Sequence, residues 1–305
     1  MRAGAEIENL AFDLPAGGWS PAPHLQPMAA DALLMGSVPG APIRLRAFYL
    51  DARITVSIHR VSVRRRSALL RGSRTAERFA GTDAFVIPDQ LDRSRRLSHA
   101  WVVEELIAPG SRATRAEWPH LIRDVAAGIG ELWLRSESRA TSTRRVVPWL
   151  SSRELRSLLS AMELEPADRG RMLRRVDELA ASQRKLLVGW THGDPCVNNV
   201  LRLGGARLGL VDWERAGRNP IGLDACRMLA GLDDPTEAIA WIEDQFRPLA
   251  RGRIAPLREQ AAISLIGLMP TWGRQGESWK RGGRGEWYRI RNARRLALLE
   301  HLLAI

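Results

Sequence analysis

The chain has 305 residues, and its 46 Lys and Arg residues outnumber its 34 Asp and Glu residues, for a formal net charge of +12. With 45% hydrophobic and 26% charged residues, the composition is that of a globular protein with one large domain or two modest ones. It excludes a disordered, collagenous or disulfide-scaffold chain, and no apolar run approaches the ~18–20 residues of a membrane span. Cys196 and Cys226 form no metal or redox motif, so we expect a reducing, cytoplasmic location without membrane attachment.

The first hundred residues predict a small β-rich lobe. Residues 1–40 are rich in Pro, Gly and Ala and are expected to be irregular. The alternating or apolar patterns that predict strands lie at 43–50, 54–58, 84–87 and 100–107. A helix is expected over 67–80. The lobe would end near Pro109-Gly110, a pair that breaks regular structure.

The rest of the chain predicts a larger, mainly helical lobe. Thr114 and Glu117 form a capping box that begins a helix running to Trp133. Within 186–212 the pattern becomes β-like, with a hairpin turn at 203–206. The other helical patterns cover 152–163, 167–183 and 221 to the end, where 271–287 interrupts them.

The positive charge is confined to two segments of the chain. Residues 60–78 contain seven arginines and one acid, and residues 271–295 contain eight cations and two acids, so each has a net charge of +6. In the rest of the chain the positive and negative side chains are equal in number. Two basic patches suit a phosphate-bearing or acidic ligand or nucleic acid, although solvated helix faces would show the same pattern.

Two carboxylates and an amide lie at a spacing that suits metal-dependent chemistry. Asn199 follows Asp194 by five positions, Asp212 lies thirteen residues further on, and the predicted hairpin joins them. Because a hairpin returns the chain to its starting point, these side chains can meet. Oxygen ligands of this kind suit Mg²⁺, and a remaining carboxylate can accept the proton of an attacking hydroxyl.

At these residues the sequence resembles the aminoglycoside phosphotransferase/choline kinase family, the small-molecule branch of the protein-kinase-like fold. The resemblance is carried by His192-Gly-Asp194 with Asn199 and by Asp212-Trp-Glu214. It implies a two-lobed α+β fold, with residues 1–106 as a divergent nucleotide-binding lobe and 107–305 as the catalytic and acceptor-binding lobe. It also implies an ATP- and Mg²⁺-dependent kinase with an alcohol group as acceptor.

The resemblance assigns a role to each matching residue. Asp194 would be the catalytic base, and His192 and Asp224 would support the catalytic loop. The residues implied at the metal are Asn199, Asp212 and Glu214. The residues that resemble the adenine-binding hinge are Glu104, Glu105 and Leu106.

The small lobe departs from the family pattern, because both lysines of the chain, Lys185 and Lys280, lie in the large lobe. The family places a lysine on a small-lobe strand, paired with a helix glutamate. We expect Arg60 or Arg64 to replace the lysine and Glu77 to be the glutamate. No glycine-rich phosphate loop matches the expected position.

The net charge of the chain also indicates which class of acceptor it can bind. A cleft that binds polycationic aminoglycosides needs an acidic lining, so a net charge of +12 argues against that substrate. The segment expected to bind the acceptor combines aromatic and basic residues with glycines. Its candidate residues are Trp272, Arg274, Trp279 and Trp287. Core positions for these tryptophans are the alternative.

Three functions therefore remain open. The first is an ATP-dependent phosphotransferase acting on a neutral or acidic small molecule. The second is a Ser/Thr kinase for a precursor peptide in natural product biosynthesis, working with a partner lyase that eliminates the phosphate. The third is a catalytically weak relative that binds an acidic protein or nucleic acid; the intact Asp194, Asn199 and Asp212 set argues against it, so nucleic acid is not the expected partner.

Overall fold

The computed structural model describes residues 32–36, 44–51, 53–60, 67–96, 99–107, 110–146, 166–182, 184–268 and 285–303. Its N-terminal part is an antiparallel five-stranded sheet in the order β1-β2-β3-β5-β4. The strands are β1 (Ala32–Gly36), β2 (Arg44–Tyr49), β3 (Ile54–Arg60), β4 (Gln90–Arg96) and β5 (His99–Glu105). The alternation noted in the sequence separates two faces: Ala47 and Val56 belong to a small apolar cluster, whereas Arg46 and Ser57, paired in register, are joined by a hydrogen bond.

Three predictions for this lobe were wrong. Strand β1 lies in the segment expected to be irregular, and β4 had no strand prediction because four of its seven residues are charged. Both are edge strands, where charge is tolerated because one side of the strand is unpaired. The strand expected at 84–87 is a single bridge from Val86 to Gly209, between Phe85 and Ile87 of the large core.

Helix α1 (Ala68–Phe79) joins the sheet to the larger lobe. It begins as predicted, with the Ser67 hydroxyl accepting a hydrogen bond from the Leu70 N–H at 3.4 Å. Its Ala76 and Phe79 belong to the core of the large lobe. The helix is therefore anchored against the lobe that carries the catalytic motif.

The large lobe combines helices with two three-stranded sheets, β10-β9-β6 and β11-β8-β7. Its strands are β6 (Gly110–Arg112), β7 (Arg139–Ser142), β8 (Lys185–Thr191), β9 (Val200–Leu203), β10 (Leu208–Leu210) and β11 (Gly217–Pro220). Its helices are α2 (Trp118–Leu134), α3 (Thr143–Val146), α4 (Pro166–Ala181), α5 (Gly222–Leu229), α6 (Thr236–Phe246), α7 (Leu257–Gly267) and α8 (Gly285–Leu303). Single 3₁₀ turns are formed by Val197–Asn199, Trp213–Arg215 and Arg247–Leu249.

Most predictions for this lobe are confirmed. The capping box forms, since the Thr114 N–H donates to Glu117 at 2.9 Å and the Glu117 N–H donates to the Thr114 hydroxyl at 3.3 Å. The hairpin turn falls between β9 and β10, as expected. Helix α8 begins at Gly285, within the predicted interruption, with Glu286 favouring the N-terminus of the helix. The predicted helix at 152–163 lies outside the described residues.

In the part of the chain that the structure describes, we find no helix with the length and apolar character needed to cross a bilayer.

Candidate active site

A buried aspartate organises the loop that follows β8. Asp224, fully buried at the start of α5, accepts hydrogen bonds from the backbone N–H of Gly193 at 2.7 Å and of His192 at 3.3 Å. The Trp133 indole N–H of α2 donates to the same carboxylate at 3.2 Å. Burial raises the pKa of Asp224 to about 7, although these three donors oppose the rise. The loop is thus held in place by Asp224 of α5, which is itself bound by Trp133 of α2.

His192 fastens the loop to the Asp-Trp-Glu segment. Its ring is fully buried, and this burial lowers its pKa, so the imidazole is neutral. With its proton on Nε2 the ring donates to the Val211 carbonyl at 3.0 Å, and Nδ1 accepts from the Asp194 N–H at 3.3 Å. The ring also meets Trp213 edge-on at 4.6 Å. His192 therefore links the backbone of Asp194 to that of Val211.

Gly193 is required by the same packing. Its φ is +83°, and a Cβ atom would lie 2.4 Å from the Arg215 carbonyl oxygen. Only glycine adopts this conformation without strain and allows the two backbones to approach so closely.

Asn199 connects the two halves of the motif. Its side-chain Nδ2 donates to the Asp194 carbonyl at 2.9 Å, and its own carbonyl accepts from the Val211 N–H at 3.0 Å. Because the amide nitrogen is used internally, the amide oxygen is the atom left to act as a ligand. The residue is 7% exposed.

Asp212 and Glu214 both reach basic residues of the small lobe. Asp212 has a left-handed backbone, with φ 66° and ψ 58°, which is uncommon for a residue other than glycine and is often found at functional sites. Its carboxylate lies 3.3 Å from Nη2 of Arg46, and Glu214 lies 3.5 Å from Nε2 of His59. Trp213, 2% exposed between them, packs against Phe79 of α1 at 5.9 Å.

The donor set fits Mg²⁺ rather than a metal that requires a cage of protein ligands. Among the described residues no group of three or more His, Cys, Asp or Glu side chains forms a metal site. Mg²⁺ keeps several waters and needs only one or two carboxylates together with substrate phosphates. Asn199 and Asp212, whose hairpin brings them together, supply oxygens of that kind.

The remaining predicted residues are only partly brought to this site. Glu77 pairs with Arg93 of β4 at 2.6 Å. Arg60 ends β3, and nothing is described of its side chain. Arg64, Trp272, Arg274 and Trp279 lie outside the described residues, and Trp287 is placed only as part of α8.

The predicted hinge residues lie at the end of β5: Glu104 and Glu105 are its last two residues, and Leu106 follows it. Glu104 accepts a hydrogen bond from Gln90 at 3.1 Å, and burial raises its pKa while the charge of Arg46 lowers it. Glu105 lies 3.7 Å from Arg53, and the Leu106 N–H donates to the Arg53 carbonyl at 2.7 Å. The backbone of this segment is therefore held by the β2–β3 connection.

Three arginines near the motif were not singled out from the sequence. Arg46 reaches Asp212 across the cleft, while Arg215 and Arg227 each lie 3.5 Å from Asp194. Arg215 and Arg227 lie inside or next to the recognised motifs, so the sequence could have identified them as site residues. Arg46 had only its place on an alternating strand.

The chain matches the Phosphotransferase enzyme family over residues 21–257, and it therefore belongs to that family. The expected class of enzyme, a phosphotransferase with a hydroxyl acceptor and ATP as donor, is confirmed. No curated protein sequence matches the chain.

Solved structures agree on the fold. A choline/ethanolamine kinase family protein from Mesorhizobium loti is 16% identical, with a TM-score of 0.55 over 97% of this chain and 99% of that one. An aminoglycoside phosphotransferase from Alicyclobacillus acidocaldarius is 16% identical, with a TM-score of 0.52 over 94% and 98%. A thermostable aminoglycoside phosphotransferase mutant in complex with AMP-PNP and hygromycin B is 14% identical, with a TM-score of 0.53 over 88% and 95%. The two-lobed kinase-like fold is thereby confirmed.

Proposed function

We propose that this enzyme transfers the γ-phosphoryl group of ATP to a hydroxyl of a neutral or acidic small molecule, and that aminoglycosides are not its main substrates. The observation that carries the proposal is the surroundings of Asp194, which has an arginine 3.5 Å from each carboxylate oxygen. Positive charge beside the base repels a polycationic acceptor and attracts a neutral or acidic one.

In the proposed mechanism Asp194 accepts the proton of the acceptor hydroxyl. The acceptor oxygen then forms a bond to the γ-phosphorus while the bond to the bridging oxygen breaks, and ADP leaves. Asn199 and Asp212 would hold Mg²⁺, with Glu214 assisting, and the ion would neutralise charge on the phosphates. The task of the chain itself is to keep Asp194, through His192 and the loop, in line with the phosphate.

Arg46 is our candidate for the cation that binds the ATP phosphates, in preference to Arg60 or Arg64. It projects from β2 toward Asp212, with Nε donating to Ser57 at 3.1 Å and Nη2 3.3 Å from the carboxylate. This arrangement leaves the guanidinium in the cleft and fixes its plane. Because arginine binds phosphate bidentately, it can replace a lysine, although with different geometry.

One observation favours a second candidate function, phosphorylation of Ser or Thr in an acidic precursor peptide. Arg78 and Arg218 both stack on Trp190, with guanidinium carbons 4.5 and 5.7 Å from the ring centroid. A basic, aromatic face of this kind suits an acidic segment. A partner lyase would then eliminate the phosphate.

Both cysteines are free thiols, in agreement with the proposed cytoplasmic location.

The experiment that tests the proposal measures transfer of labelled phosphate from ATP to four kinds of acceptor. These are neutral polyols, hydroxy acids, aminoglycosides and an acidic peptide that contains Ser and Thr. We expect transfer to polyols or hydroxy acids, and Asp194→Asn should lower the rate by about 10²–10⁴ while ATP still binds. The control is Asp83→Asn, which removes an exposed carboxylate.

Wild-type turnover in Asp194→Asn would contradict the role of the base. Preferred transfer to aminoglycosides would contradict the acceptor class, and preferred transfer to the peptide would favour the second function. Asp212→Ala should also abolish Mg²⁺-dependent ATP binding measured by calorimetry, and unchanged binding would exclude the proposed metal ligand.

A further inference from the structure

The proposed base lies between two guanidinium groups that come from different elements. Nε of Arg215, in the 3₁₀ turn after Asp212, is 3.5 Å from Oδ2 of Asp194. Nε of Arg227, on α5, is 3.5 Å from Oδ1. Two guanidinium groups therefore face one carboxylate.

The neighbouring acids have partners on the other side of the cleft. Asp212 pairs with Arg46, and Glu214 lies 3.5 Å from Nε2 of His59. Arg215 and Arg227 are both directed at Asp194.

Arg227 is the more deeply placed of the two arginines, with a side chain that is 11% exposed. Within the described ranges its guanidinium has one polar contact, the ion pair with Asp194, and its buried Nε makes no hydrogen bond. A guanidinium carries five N–H donors, and burying such a charge with one long ion pair is unfavourable. A ligand with acidic oxygens would complete its contacts.

A further buried arginine, Arg295, lies close enough to Cys226 to influence its thiol. Burial raises the pKa of the Cys226 thiol to about 12, and the charges of Arg227 and Arg295 both lower it. Arg295, on α8, is 6% exposed and belongs to the second basic segment of the sequence. Two largely buried arginines, Arg227 and Arg295, therefore lie near Cys226 in the interior of the lobe.

We propose that Arg227, assisted by Arg215, binds a carboxylate or phosphate group of the acceptor. This inference rests on the proposed function, because it assigns the acceptor of that same site. The acceptor is then a hydroxyl compound with an acidic group close to the hydroxyl that is phosphorylated. Arginine recognises both kinds of acidic group through paired, charge-assisted hydrogen bonds, and the hydroxyl would be held beside Asp194.

The test uses two probes with the same carbon skeleton, glycerol 3-phosphate and glycerol. Calorimetry measures their binding to the full chain saturated with Mg²⁺ and a non-hydrolysable ATP analogue. We expect glycerol 3-phosphate to bind at least about tenfold more tightly than glycerol, the difference expected from hydrogen bonds to a charged group. Arg227→Met and, separately, Arg215→Met should each weaken binding of glycerol 3-phosphate by about tenfold.

Arg207→Met is the matched control, because it removes the same charge from an exposed position in the β9–β10 turn. It should leave affinity for glycerol 3-phosphate within about twofold, since exposed charges are screened by salt. Arg215, whose side chain is 45% exposed, supplies a variant that is expected to fold even if Arg227→Met does not.

Three results would overturn the inference. One is equal affinity, or no detectable binding, of the two probes to the nucleotide-loaded protein. Another is an unchanged affinity for glycerol 3-phosphate in both variants. The third is a pair of observations: Arg227→Met binds the ATP analogue more weakly, and the wild-type chain loses glycerol 3-phosphate binding when it is saturated with nucleotide. Together they would assign Arg227 to the nucleotide. Failure of the wild-type chain to bind the analogue would instead contradict the proposed function.

Discussion

At the scale of single residues, Asp224 determines the shape of the catalytic loop. Its two oxygens accept hydrogen bonds from consecutive backbone N–H groups and from the Trp133 indole. These donors favour the charged form, whereas complete burial disfavours it, and burial prevails because the pKa is raised to about 7. Near neutral pH the loop therefore depends on a carboxylate that is partly protonated.

This shift predicts the pH dependence of stability. The pKa of Asp224 is about 7 in the folded chain against an ordinary value of 3.8, so the folded state binds the proton more tightly. Its contribution to the free energy of unfolding is complete below about pH 4 and is lost as pH rises through about 7, by at most ~1.4 kcal/mol per pH unit. Urea unfolding from pH 4.5 to 8 should show this decline in the wild type and in Asp83→Asn, but not in Asp224→Asn. Parallel curves for all three proteins would contradict the shift.

At the scale of elements, α1 and the Asp-Trp-Glu segment touch at Gly72. A Cβ atom at this position would lie 2.1 Å from the Trp213 carbonyl oxygen and 3.0 Å from the Glu214 Cα atom. Arg71 strengthens the same contact, because its Nε donates to the Ala216 carbonyl at 3.2 Å. The position of α1 is therefore set by the segment that carries the proposed metal ligands.

Replacement of Gly72 by alanine should reverse the usual effect of this substitution in a helix. Alanine normally stabilises a helix interior by ~0.5–1 kcal/mol relative to glycine. Here the added methyl group should displace α1, with an expected loss of ~1–3 kcal/mol in unfolding free energy and weaker Mg²⁺–ATP binding. Denaturant unfolding and calorimetry measure the two effects.

The control for this substitution is Gly170→Ala in α4, where the nearest atom to a new Cβ is the flexible Arg174 side chain at 3.6 Å. It should be stabilising or neutral. If Gly72→Ala were equally well tolerated, the close contact between α1 and the Asp-Trp-Glu segment would not be a constraint on the fold.

At the scale of the whole molecule, basic residues of the small lobe meet acidic residues of the large lobe across the proposed nucleotide site. Arg46 and His59 of the sheet face Asp212 and Glu214 of the large lobe. Phosphates and Mg²⁺ would enter between these groups, so binding of the nucleotide should also stabilise the fold by mass action.

Arg46→Met should weaken Mg²⁺–ATP binding by about tenfold and reduce the rise in Tm that the nucleotide produces, because a charged phosphate contact is lost. Calorimetry and thermal unfolding give the two readings, with Arg207→Met as the control. An affinity within about twofold of the wild type would exclude Arg46 as the phosphate ligand and return attention to Arg60 and Arg64.

Much of the fold and site could be predicted because the signals are local. The capping box at Thr114, the hairpin between β9 and β10, and the loop from His192 to Asn199 each depend on residues a few positions apart. Strand β4 was missed because its charged sequence, on an edge of the sheet, lacks the apolar alternation of a half-buried strand. The ion pair between Glu77 and Arg93 could not be predicted, because Arg93 lies in that missed strand.

The sequence by itself determined the family, the two-lobed fold, and the residues of the motif, since close spacing and a hairpin leave few arrangements for them. Tertiary structure alone decided which cations meet those residues. Arg46 and Asp212 are 166 positions apart, and their contact depends on strand register and on how the lobes close. The net charge of +12 argued against a polycationic acceptor, but only packing placed Arg215 and Arg227 on either side of Asp194. Charge is a sum over the chain, whereas recognition depends on where the fold concentrates it.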